Sequence, residues 1–281
     1  QSKQTKQQLT YNYNMTQIDI TKVEEQVSAK IKQLLSSIPQ EDTTTVSEFS
    51  KNFNTFQRMH ERFLQTLNDP DKYTIDWSKV QSPTSETVLP YDKIAADEDE
   101  KLADKARVTE LLNKLVVLKL NGGLGTTMGC TGPKSIIQIK GEDSFLDLTI
   151  KQIEALNQTY GVNIPLVLMN SFNTHDDTSK ILPKYTTGRN IRVLTFNQKQ
   201  YPRIRADNYL PVPESADPAK TDLGDWYPPG HGDIYDSFFQ SDLYDQLVRK
   251  EKREYMFMSN VDNLGAVVDL RILGYLSDQK I

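Results

Sequence analysis

The sequence predicts an α/β fold: an open, mostly parallel, Rossmann-like sheet with helices on both faces, preceded by N-terminal helices. Three observations predict it. From residue 115 onward, short apolar runs alternate with helical segments, the pattern of a parallel sheet whose crossovers are helices. The first run, Leu115-Val116-Val117-Leu118-Lys119-Leu120, empties into a glycine-rich stretch, as strands do where such sheets bind ligands. Ahead of it, apolar side chains recur at three- and four-residue steps, the period of helices.

Residues 1–17 are polar and are expected to be a disordered tail. Ile20, Val23, Val27, Ile31, Leu34, Leu35 and Ile38 then mark an amphipathic helix stopped by Pro39. Phe49, Phe53, Phe56, Met59, Phe63 and Leu67 mark a second helix with Ser47 as its N-cap. Its aromatic stripe reads as packing against the main domain rather than as a partner-binding face. Pro70, Pro83 and Pro90 make 68–93 an extended connector, so residues 18–95 form an N-terminal segment and 96–281 the main domain. A charged helix is expected at about 97–113, then strand 115–120 and a short β segment from Ser135 to Ile139. Helix 146–160 follows, opened by a Ser144-x-x-Asp147 capping box and closed by Gly161. Strand 164–169, a short helix near 174–184, strand 191–197, a proline-rich loop at 201–231, helix 233–250 and strand 255–259 complete the pattern.

A formal net charge of -5 argues against a nucleic-acid surface, which needs a basic patch. No apolar run reaches membrane-spanning length and no signal-peptide core opens the chain, so no membrane partner is expected. Cys130 is the single cysteine, which rules out a disulfide within the chain and fits the cytoplasm. Inside the glycine loop it reads as an incidental small residue, the alternative being an oxidation-sensitive one. Asn14 and Asn157 head glycosylation triplets that read as chance matches without an export signal. The chain opens on Gln1 and ends at Ile281 after an apolar stretch, which suggests a piece of a longer protein.

The glycine stretch, Asn121 through Ser135, fits neither common phosphate-binding pattern. Pro133 stands where a P-loop has glycine before its lysine, and Met128 holds the position of the other glycine. Gly123 and Gly125 fit the first two glycines of the dinucleotide fingerprint, but Met128 takes the third. A different nucleotide chemistry is implied. The carboxyl ends of the other strands carry Met169-Asn170-Ser171, Asn197-Gln198 and Asn260-Val261-Asp262-Asn263, a polar rim for one shared site. Asp262 can hold Mg²⁺, which takes one or two carboxylates and fills its shell with water and phosphate oxygens, or can be a turn residue. His231, between Gly230 and Gly232, has room for a ligand or serves as a structural hydrogen-bonder. No cluster has zinc-ligand spacing, and no Ser/His/Asp arrangement stands out.

Together these segments resemble the eukaryotic UTP–glucose-1-phosphate uridylyltransferases, or UDP-glucose pyrophosphorylases. The matching runs are Lys119 to Thr126 with Gly132-Pro133-Lys134-Ser135, Val167 to Thr174, Phe196-Asn197-Gln198 with Tyr201-Pro202-Arg203-Ile204, Trp226 to Tyr235, and Met258 to Ala266. The likeness runs from about residue 47 to the end and also takes in Ile75-Asp76-Trp77 and Leu89 to Ile94. It implies the nucleotide-diphospho-sugar transferase fold, with 96–281 a nucleotide-binding catalytic domain incomplete at its C-terminal end. The implied reaction joins UTP and glucose 1-phosphate into UDP-glucose and pyrophosphate, with Mg²⁺ as cofactor. By matching position, Leu120, Asn121, Gly122 and Gly123 hold the nucleotide, and Lys134 stabilises phosphate charge as the catalytic residue. Gln198 reads the uracil with the backbone of Gly230, and Met169 is a lesser candidate for the base pocket. His231 and Asn260 contact the sugar phosphate, and Asp262 binds nucleotide and metal.

In this family a second phosphate-binding lysine, part of the sugar pocket and a C-terminal β-helix for homo-oligomerisation lie beyond the position of Ile281. The resemblance therefore implies that this stretch alone is inactive. Alternatives within the fold are a UDP-N-acetylhexosamine pyrophosphorylase, which typically has Arg-Leu where this chain has Thr127-Met128, and a broad-specificity UDP-sugar enzyme. A non-catalytic homologue is the alternative of another class, against which stand Lys134, Gln198, His231 and Asp262 together.

Overall fold

A computed structural model describes residues 18–125, 129, 132–186 and 189–281. The expected tail at 1–17, with Asn14, and the residues Thr126, Thr127, Met128 and Cys130 lie outside the described residues. The chain divides into two compact units, one of residues 18–80 with Pro202–Trp226, the other of Gln81–Tyr201 with Tyr227–Ile281.

In the first unit, helix α1 (Ile20–Ser37) starts where the Asp19 carboxylate accepts from the Lys22 amide. It buries Val27, Ile31 and Leu34 and ends at Ile38, which is extended as the residue before a proline must be. Helix α2 (Thr43–Asn68) is capped by Asp42, whose carboxylate accepts from Thr45, and not by Ser47. Asp42 comes earlier and is an equally good cap, so the helix gains a full turn over the expected start. The Asn68 side chain donates to the Ile18 carbonyl and accepts from its amide, tying the end of α2 to the start of α1. Phe49, Phe53 and Phe56 are buried as expected, while Met59 and Phe63 stay partly exposed. The stripe's partner is the proline-rich loop. Trp226 stacks on Phe53 at 6.1 Å between ring centres and meets Phe49 edge-on at 5.3 Å. Buried His60 reaches the Tyr209 carbonyl at 2.8 Å, and the Ser37 hydroxyl accepts from the Ala216 amide.

The second unit opens with α3 (Tyr91–Glu98) and α4 (Lys105–Asn113), where one helix was expected over 97–113. Asp104 breaks it: its backbone is extended and its carboxylate caps the Ala106 amide, starting a new helix. Strand β1 (Leu115–Leu120) follows. Past the glycine loop come a 3₁₀ turn, Lys134–Ile136, and a small antiparallel ribbon, Gln138–Lys140 with Asp143–Ser144. Helix α5 (Phe145–Tyr160) has the expected capping box between Ser144 and Asp147, and Gly161 closes it at φ 64°. Strand β2 (Leu166–Asn170), helix α6 (His175–Ile181) and strand β3 (Val193–Asn197) come next. Asn157 is buried and bonded to Ile164 and Asn190, which makes it no acceptor for a glycan.

Helix α7 (Ile234–Gln240) stops well short of the expected residue 250. Ser241 turns extended and its hydroxyl donates back to the Phe238 carbonyl, so the chain resumes as a short turn and then a π-helical segment, Asp245–Lys250. Strand β4 (Tyr255–Asn260) leads to α8 (Leu270–Gln279), a helix the sequence pattern did not suggest, capped by Asp269.

The four strands form one parallel sheet in the order β3-β2-β1-β4. One face buries Leu115, Val117, Leu166 and Leu168 against α4 and α5. The other buries Val116, Leu118, Val167 and Phe196 against Ile234, Phe238 and Leu247. Helices cover both faces, as the alternating pattern predicts. No described helix is long and apolar enough to cross a membrane.

Candidate active site

Strand order places the site. The chain steps from β1 to β2 to β3 in one direction and then returns to lay β4 on the opposite side of β1. The sheet therefore reverses between β1 and β4, and ligands in such sheets bind outside the carboxyl ends of the strands at that reversal. Leu120 pairs there with Asn260, and the Val261 amide donates to the Leu120 carbonyl.

The glycine loop leaves β1 and folds back on itself. Leu124 bridges Pro133, the Gly125 amide donates to the Gly132 carbonyl, and the Lys134 amide donates to Gly123 at 3.1 Å. This return brings Lys134 beside the end of β4, where its ammonium lies 3.4 Å from the Asp262 carboxylate. Both side chains remain about 30% exposed, so the pair is open to a ligand. A lysine fourteen residues after β1 and an aspartate two after β4 thus meet as one charged couple.

A second group forms around Gly122. A Cβ built there would lie 2.2 Å from Gln198 Nε2, so the absence of a side chain is what lets the glutamine amide lie against the loop. Gln198 is buried, and its Oε1 accepts from the Gly230 amide at 3.2 Å. Gly230 has φ 98°, a backbone that favours glycine. The Gly122 carbonyl accepts from the Ser171 hydroxyl at 2.9 Å. Three residues matched to the nucleotide are therefore in contact, and Gly123 beside them is exposed, with nothing within 4 Å of where a Cβ would be. His231 follows Gly230 and is exposed, as is Asn260 at the end of β4.

Other residues serve the site from behind. The Asn121 side chain donates to Asn170 at 2.7 Å and Thr178 at 2.9 Å, so it ties the loop's start to β2 and α6. Met169 is fully buried in the core beneath the sheet. Lys199 was not singled out by sequence, yet it latches β3 to the loop ahead of α7. Its amide and ammonium both donate to Asp233, at 2.8 and 3.0 Å, and the ammonium also reaches Asp236 at 2.7 Å. The pair is almost wholly buried and holds Gln198 and the Gly230–His231 turn at a fixed separation. Its partners lie 34 residues apart, so no local pattern betrays it.

Among the described residues no group of three or more His, Cys, Asp or Glu is placed to hold a metal ion. A lone, partly exposed carboxylate at a strand end suits Mg²⁺ that takes its other ligands from phosphates and water, and does not suit an all-protein cage.

A family model for UTP–glucose-1-phosphate uridylyltransferase matches residues 53–281. The potato (Solanum tuberosum) protein of that name is 56% identical over 202 residues, covering 72% of this chain and 40% of its own length. The Musa acuminata protein is 48% identical over 248 residues, covering 88% of this chain and 50% of its own length. Among solved structures, UDP-glucose phosphorylase from Trypanosoma brucei superposes with a TM-score of 0.61 at 34% identity, over 90% of this chain and 48% of that one. A UDP-glucose pyrophosphorylase mutant from Leishmania major, solved with UDP-glucose, gives 0.63 at 29% identity, over 91% and 48%. The chain spans about half the length of the curated relatives it matches.

Proposed function

Because the chain belongs to the UTP–glucose-1-phosphate uridylyltransferase family, we propose that it carries the nucleotide-binding part of an enzyme making UDP-glucose and pyrophosphate from UTP and glucose 1-phosphate. The observation that supports this reading best is the double grouping around the glycine loop. Gln198 is held between Gly122 and Gly230, where a base edge can be read. Lys134 and Asp262 meet where phosphates would lie.

In the proposed reaction a phosphate oxygen of glucose 1-phosphate attacks the α-phosphorus of UTP in line, and the bond to the bridging oxygen breaks as pyrophosphate leaves. Such chemistry asks for positioning and charge neutralisation. Lys134 turns from Asp262 toward the phosphates, a move its partial exposure and 3.4 Å separation allow. The backbone of Leu120 to Gly123, without side chains at Gly122 and Gly123, lets the nucleotide approach closely. His231 and Asn260, both exposed beside these groups, meet the sugar phosphate. Asp262 would hold Mg²⁺, which when bound neutralises charge spread over the nucleotide phosphates.

The test is pyrophosphate release by the full-length protein across UTP, the other nucleoside triphosphates and several sugar 1-phosphates. Lys134→Ala and Asp262→Ala are each expected to lower kcat about 100- to 1,000-fold, as loss of one preorganised charge does. Unchanged rates in both would sink the assignment, and a preference for N-acetylhexosamine 1-phosphate would move the protein to the related sugar class.

A further inference from the structure

Lys119, the second-to-last residue of β1, is 2% exposed, and its ammonium meets no carboxylate among the described residues. Burial alone acts on it, pushing its pKa below the ordinary lysine value. An unpaired buried ammonium is costly, and Val117, on the same face two residues earlier, shows that an apolar side chain fits this layer. The acceptors explain the lysine. Its Nζ donates to Ser259 Oγ at 2.6 Å and to the Ala266 carbonyl at 3.1 Å, and lies 5.4 Å from the centre of the Phe257 ring. Ser259 is the register partner of Lys119 on β4, and Ala266 closes the turn that begins at Asn260.

Asp262 stands inside that turn. Its backbone is folded by bonds from Asn263 to Asn260 and from Ala266 to Asn263, each 3.2 Å. It is gripped at three points along its length: at Val261 by the Leu120 carbonyl, at the Leu264 carbonyl by the Gln152 amide of α5, and at Ala266 by Lys119. A single ammonium, with three N–H groups, can bond the strand's end and the turn's close together. We propose that Lys119 is a positioning residue for the transfer reaction: it holds turn 260–266 so that Asp262 faces Lys134 across the site. This rests on the function proposed above.

The test compares Lys119→Met, Lys119→Arg and Ser259→Ala in the full-length protein. Lys119→Met keeps an unbranched chain out to the position of Cε but donates nothing. Amide hydrogen exchange across 260–266 is expected to quicken at least about tenfold while β2 and α5 are unchanged. The kcat should fall about 10- to 100-fold, the usual cost of losing a residue that orients a ligand carboxylate, with little change in KM for glucose 1-phosphate. Lys119→Arg should restore both, since a cavity of about 310 Å³ lined in part by Lys119 leaves room for the guanidinium. Ser259→Ala, a milder change, should quicken exchange in the same turn, and it decides the matter if Lys119→Met does not fold. Unaltered exchange at 260–266, or a kcat loss that arginine fails to restore, overturns the proposal. A wild-type protein that forms no UDP-glucose overturns the functional reading instead, while the exchange comparison still judges the anchoring.

Discussion

Two adjacent glycines have opposite duties. At Gly122 an added methyl would strike the Gln198 amide at 2.2 Å and crowd Ser171 at 3.4 Å, whereas at Gly123 it would meet nothing within 4 Å. Gly122→Ala is therefore expected to push Gln198 off Gly230 and raise the KM for UTP by about tenfold, the worth of one misplaced buried hydrogen bond. Gly123→Ala should leave Gln198 in place, and the Gln198 side-chain amide resonances of the two ligand-free variants make the comparison. If the two alanines proved equivalent, the glutamine would not be seated by the loop. Gln198, Gly230, Lys134 and Asp262 were legible in the sequence because each stands at a strand end or in a loop of unusual composition. Lys199 and Lys119 were not. One is half of an ion pair whose other half is 34 residues away, and the other looks like an ordinary strand residue until its acceptors on β4 and the following turn are seen.

At the scale of elements, helices and strands followed the apolar periodicity closely; α8 went unforeseen, and three other misses came where a polar side chain outbid the periodicity. Asp104 split the helix expected over 97–113, Ser241 ended α7, and Asp42 moved the start of α2. The packing of α8 against the α3–α4 region turns on another glycine. A Cβ on Gly274 would lie 2.4 Å from Glu98 Oε2. Glu98 has little freedom to retreat, being 1% exposed and held by Lys101 at 2.8 Å and Arg107 at 3.1 Å. Alanine in a helix interior is worth up to about 1 kcal/mol over glycine. Overpacking a rigid neighbour costs about 1–3 kcal/mol, so the clash wins. Gly274→Ala should lower the urea midpoint, and a raised midpoint would show that Glu98 moves aside freely.

The two units of the whole molecule should respond to acid at different pH. Burial holds the His60 pKa below 6.5 even though the ring bonds the Tyr209 carbonyl. The stability that neutral His60 contributes to the first unit is full above 6.5 and is lost as pH falls below it. In the second unit burial would raise the Asp147 carboxyl, but hydrogen bonds from Lys184, Ser144 and Tyr185 outweigh it and hold the group well below the usual carboxylate range. Its contribution stays intact above 3.8 and fades only below. Both tryptophans, Trp77 and Trp226, lie in the first unit, and Trp77 is already 74% exposed. A red shift of Trp226 emission between pH 6.5 and 5 should thus precede any quickening of amide exchange in α5. His60→Gln should flatten the early change, and simultaneous responses from both units would contradict this division.

The assembly of the first unit from distant stretches of chain has a further effect during synthesis. Phe49 and Phe53 finally rest on Trp226, which the ribosome adds more than 150 residues after the end of α2. At usual elongation rates that is a wait of roughly 8–30 s. Through that interval the nascent polypeptide displays an aromatic ridge with its eventual cover not yet made. Holdase chaperones seek such surfaces, and slowing elongation ahead of the codon for Trp226 should lengthen their stay on this chain.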